Sequence, residues 1–142
     1  MFLDPDQVFQ SANAVALLAW VALAASPGRA PWAARVRRAT GRWLPLALSV
    51  LYVAMLLKHW PAQGGFGSVA EVQTLFMAPG ALVAGWVHYL AFDLFVGSWI
   101  AERAAALKMH HALLLPVLLL TFLFGPAGWL AFNLLQPKES LS

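Results

Sequence analysis

The sequence contains no cysteine. That excludes a disulfide framework, thiolate chemistry and any zinc site built on sulfur. Charge is also scarce: Asp, Glu, Lys and Arg make up 11% of the 142 residues, under half of the roughly 25% usual in soluble domains. No phosphate-binding glycine loop, nucleophile elbow or zinc-protease helix motif is present. The net charge of +3 is too small to argue for nucleic acid. What is present instead is apolar surface, with 61% of residues hydrophobic. A soluble chain of this length could not hide that much of it, and disorder needs the opposite composition. The membrane is the natural solvent, and the length suits one domain covering residues 1–142.

The few charges are clustered. Residues 7–28, 43–57 and 109–137 contain none, and 72–101 contain only Asp93. A hydrocarbon core of about 30 Å needs ~20 apolar residues in a helix. The spacing predicts an all-α, polytopic bundle of four transmembrane helices at roughly 7–25, 43–60, 79–101 and 112–135. Pro27-Gly28 stops the first span. Trp43 and Trp60 bracket the second as interfacial aromatics. Pro79-Gly80 starts the third. Ser68-Val69-Ala70-Glu71 fits a capping box, and Val69, Val72 and Phe76 share a face, so 68–77 reads as a short interfacial helix before the third span. Gly125-Pro126-Ala127-Gly128 predicts a kink in the fourth.

Arg29, Arg35, Arg37, Arg38 and Arg42 fall in the 26–42 segment, read as a loop, and Arg103 and Lys108 in the 102–111 loop. Only Lys58 and Lys138 fall on the other side. The positive-inside rule makes those two loops cytoplasmic and places both termini outside. The arginines read as topogenic, with contact to anionic lipid as the further role. The amino-terminal segment carries Asp4 and Asp6 without Lys or Arg, so it reads as a retained span and not a cleaved signal. With no transit-peptide composition, a bacterial inner membrane is the expected home.

Polar groups at depth carry the functional signal, because they are costly there. His88 and Asp93 lie near the middle of the third span. An Asp at helix centre costs about 2.5–3.5 kcal/mol on insertion scales, so partners must offset it. Tyr89 shares Asp93's face at i, i+4, whereas His88 points about 140° away at ~100° per residue. Gly85 and Gly97 lie near Asp93's face and would permit close helix approach. Tyr52 and Thr121 lie at similar depth in the second and fourth spans. The bundle could thus enclose a polar patch of Tyr52, His88, Tyr89, Asp93 and Thr121, suited to proton relay or to the polar group of a lipophilic ligand. A purely structural hydrogen bond is the other reading for Asp93, and packing for His88, Tyr52 and Thr121. Trp86 reads as packing or as a stacking surface for a ligand. His110-His111 lacks carboxylates at metal-ligand spacing, so no metal is expected.

Gly85-Trp86-Val87-His88-Tyr89-Leu90-Ala91-Phe92-Asp93-Leu94-Phe95-Val96-Gly97-Ser98-Trp99 resembles the central motif of the abscisic-acid-deficient-four-like membrane protein family. Leu120-Thr121-Phe122-Leu123-Phe124-Gly125-Pro126-Ala127-Gly128 resembles its second motif. Plant members of that family are chloroplast membrane proteins required for neoxanthin synthesis. The resemblance implies a carotenoid or other isoprenoid substrate and isomerisation of an epoxide to an allenic alcohol. Such a step needs an acid and a base but no redox cofactor. It implies His88 and Asp93 as the catalytic pair, with Tyr52, Tyr89, Trp86 and Thr121 as substrate-binding candidates. The expected partners are membrane lipid and a lipophilic substrate, with self-association left open. A non-catalytic binding or accessory subunit is the alternative function.

Overall fold

The structure is a computed structural model and describes residues 3–136; Lys138 lies outside them. Every regular element in it is helical: α1 Pro5–Ala24, α2 Ala33–Arg38, a π-helical turn Ala39–Trp43, α3 Leu44–His59, α4 Val69–Met77, α5 Pro79–Ala106 and α6 His111–Leu135. Four stretches are long and apolar enough to cross a membrane: α1, the continuous run Ala33–His59, α5 and α6. The chain is a four-span helical membrane protein.

Local chemistry sets the ends. Asp4 caps α1 by accepting the Gln7 amide at 3.1 Å, with Pro5 in the first turn. Ser68 caps α4 by accepting from the Glu71 amide at 3.2 Å. Glu71 reaches back to the Gly67 amide at 2.9 Å, so the capping box closes one residue earlier than the simple pattern. α4 buries Leu75 and leaves Val69 and Phe76 exposed. α5 starts at Pro79 but runs to Ala106, five residues past the expected limit. Its midpoint therefore falls between Phe92 and Asp93.

The largest departure is the segment expected as the 26–42 loop. From Ala33 onward it is helix and joins the second span through the π turn. Ala and Arg are good helix formers, so the charges mark the membrane surface without ending the helix. Pro45 cannot donate to the carbonyl four residues earlier, and the widened turn ends just ahead of it. Thr40 donates to the Val36 carbonyl at 2.9 Å within this stretch.

The four spans do not form a symmetrical ring. α5 packs against α1, α3 and α6, whereas α1 with α3, and α3 with α6, touch marginally at most. Accordingly 56% of an 18-residue apolar stretch of α5 is buried inside the protein, against 33%, 22% and 33% in the other three spans in chain order. Small residues make this approach feasible. Val8, Ala12, Ala16 and Ala19 on α1 are buried, as are Ala81, Ala84, Val87 and Ala91 on α5. Gly85 and Gly97 do not serve close helix backbones as their spacing suggested. A Cβ on Gly97 would run into the Trp20 ring, and one on Gly85 into the Phe76 ring. Both glycines make room for an aromatic side chain.

Candidate functional site

α5 carries two chemically different stripes. Trp86, Tyr89 and Asp93 are spaced i, i+3, i+7 and share one face. His88, Phe92, Phe95 and Trp99 share another. The single polar patch expected from depth is divided between them.

On the first stripe Asp93 is 8% exposed, and its Oδ2 is buried with no hydrogen-bond partner. The opposing surface is α6 at Gly125, where a Cβ would collide with Asp93 Oδ1. α6 is broken just there: Phe124 has φ −144° and ψ 54°. Pro126 has no amide proton, so the Phe122 carbonyl four residues earlier loses its helical donor. Tyr89 interacts with the carboxyl group one turn on, as its spacing suggested, and also serves this break. Its hydroxyl donates to the Leu123 carbonyl at 2.9 Å, with the Phe122 carbonyl at 3.4 Å. Tyr89 is also an electrostatic neighbour of Asp93. Trp86 stacks on Tyr89 with ring centroids 5.3 Å apart, and its indole N–H donates to Asn13 Oδ1 of α1 at 2.8 Å. One stripe of α5 thus ties together α1, the α6 break and a buried carboxyl group.

On the second stripe His88 stacks on Phe92 at 4.7 Å and meets the Tyr52 ring of α3 edge-on at 5.3 Å. His88 is exposed towards the bilayer side. It does not share a cleft with Asp93. Thr121 is fully buried and donates to the Val117 carbonyl of its own helix at 2.7 Å. Among the described residues no group of three His, Asp or Glu converges as a metal site would require. His111 accepts a structural role: its Nε2 lies 2.9 Å from the Ala24 carbonyl at the end of α1.

Two features escaped the sequence reading. Gly125 was legible as part of a kink, but its contact with Asp93 is tertiary. Ser98, buried near the end of α5, donates to Thr40 Oγ1 in the π turn at 2.7 Å, and a Cβ on Gly41 would press on the Ser98 side chain. The arginine-bearing stretch is thereby docked on α5. Its residues Arg37, Arg38 and Arg42 border a cleft of about 290 Å³ together with Ser98, Trp99 and Glu102. No spacing rule connects positions 40 and 98; the only hint was a serine and a threonine in otherwise apolar or basic surroundings.

A central helix with a buried carboxyl group at its midpoint, held against a broken neighbour, defines a polytopic helical membrane protein with a polar group at the depth of its core. The chain belongs to the ABA DEFICIENT 4-like family, whose pattern it matches over residues 7–132. No curated protein and no solved structure gives a match.

Proposed function

We propose that the chain acts on a carotenoid or other isoprenoid within a bacterial inner membrane, as an isomerase using Asp93 for proton transfer, with both termini outside. The observation that carries this reading is the buried, unpartnered Asp93 Oδ2 at the midpoint of α5. A carboxyl group there is expensive, and no structural partner occupies that oxygen. In the protonated state Asp93 gives its proton to an epoxide oxygen as the C–O bond opens. The resulting carboxylate takes the proton lost from the neighbouring carbon, which restores the acid. Atoms and electrons balance without a redox cofactor. Trp86 and Tyr89, stacked on the same stripe, offer a flat surface for a polyene beside the carboxyl group. His88 lies on the other stripe, so Asp93 fills both proton roles.

The second reading, a binding or accessory subunit, is favoured by a specific observation: two grooves of about 500 and 550 Å³, one bordered by Leu46, Ala91 and Phe92 and the other by Leu17, Trp20 and Phe122, open away from Asp93. The two readings part at Asp93→Asn, which keeps shape and hydrogen-bonding capacity but not acidity. In carotenoid-producing cells the variant should lose about 10²–10⁴-fold of product formation, while its yield and gel-filtration profile in detergent stay like wild type. Full conversion by a folded Asp93→Asn protein would defeat the acid–base reading and leave the accessory one.

A further inference from the structure

The cleft between the arginine-bearing stretch and the end of α5 is a second candidate site, remote from Asp93. It is lined by three arginines, Arg37, Arg38 and Arg42, and by one acidic residue, Glu102. None of the three forms an ion pair among the described residues, and Arg42 lies over the Trp43 ring at 5.3 Å. Arg37 Nε is buried with no acceptor, although buried donors are almost always paired. The positive excess is fixed in place, because Ser98 and Thr40 lock the stretch to α5.

The cleft continues into a second one. It shares Gly41, Arg42 and Phe95 with a groove of about 500 Å³ between α3 and α5. Beyond that junction the groove is bordered by Pro45, Leu46, Ala91 and Phe92 and by Ser49, whose hydroxyl is engaged with the Pro45 carbonyl at 2.7 Å. Its last ring, Phe92, stacks on His88. A cationic cleft that continues into one apolar groove matches an amphiphile with an anionic head and one chain. Arg forks suit phosphate oxygens. Three positive charges against one negative favour a phosphate monoester, which carries about 1.5–2 negative charges, over a singly charged phosphodiester.

We propose that this cleft and groove hold a single-chain lipid phosphate, its head between Arg37, Arg38 and Arg42 and its chain along Phe95 and Phe92 towards His88. The site needs no turnover at Asp93 and goes beyond the reading of that residue. Binding of farnesyl monophosphate to the full chain in detergent micelles, followed by native mass spectrometry, tests it. Farnesol, inorganic phosphate and phosphatidylglycerol serve as comparators. One farnesyl monophosphate should bind per chain, at least about tenfold tighter than any comparator, as one lost charge-assisted contact would predict. Arg37→Gln with Arg38→Gln should weaken it by a similar factor. Leu46→Trp, a change at an exposed groove position, should block the chain while leaving the arginines intact, and covers the case in which the double variant does not fold. Asp93→Asn should bind like wild type. Equal binding of farnesol would overturn the phosphate head, equal binding of inorganic phosphate the groove, and equal binding of phosphatidylglycerol the single chain. Unchanged binding in Leu46→Trp overturns the site as a whole.

Discussion

Gly125 of α6 lies directly against the Asp93 carboxyl group of α5. A methyl group at position 125 would meet Asp93 Oδ1, so Gly125→Ala should destabilise by about 1–3 kcal/mol, the usual cost of overpacking. In an Asp93→Ala background the same change should cost much less, because the obstructing oxygen is gone. Thermal unfolding of the four proteins in detergent measures the difference; equal costs in both backgrounds would refute the contact. Asp93 itself was legible in the sequence, since a lone carboxylate in a run of thirty residues without other charge stands out. Its environment was not. Tyr89, at i, i+4, does interact with it, but its hydroxyl prefers the Leu123 carbonyl at 2.9 Å. That preference depends on a carbonyl freed on another helix, which spacing along one helix cannot reveal.

At the scale of elements, the break in α6 and the tyrosine on α5 are two parts of one device. Pro126 withdraws a backbone donor, and Tyr89 supplies a replacement to the exposed carbonyls. Tyr89→Phe should therefore cost about 0.5–1.5 kcal/mol, the net worth of one hydrogen bond. Pro126→Ala restores an amide to the ladder, and in that background Tyr89→Phe should cost less. A double-mutant cycle on unfolding midpoints reads the coupling, and a coupling near zero would separate the two features. The kink itself was predictable from Gly125-Pro126, because proline chemistry is local. The start at Pro79 was predictable for the same reason. The helix from Ala33 was not, because arginines were read as the end of the span. They end the apolar environment, but backbone hydrogen bonds continue through it, and helix boundary and membrane boundary are different quantities.

At the scale of the whole molecule, seven of the eight Lys and Arg among the described residues gather at one end, with Lys58 at the other. Arg29 and Lys108 border one cleft with His110 and His111, while Arg37, Arg38 and Arg42 border the next. At the opposite end His59 Nε2 lies 3.2 Å from the Leu3 carbonyl. The positive-inside rule then expects the 107–110 connection in the cytoplasm and the 60–68 connection outside. A phosphatase reporter inserted within 60–68 should be active and one within 107–110 silent; the reverse pattern would invert the topology.

The central position of α5 bears on how the chain is made. Spans enter a membrane in the order of synthesis, and α5 belongs to the third. Until it emerges from the ribosome, α1 meets the second span only at its ends, through α2 and the π turn and through His59 at Leu3. The two wait in lipid loosely joined, with the Ala12–Ala16 face of one and Met55 of the other uncovered. Biogenesis therefore has a single committing moment, the arrival of α5, which collects both earlier spans at once and presents Asp93 to the last span still to come.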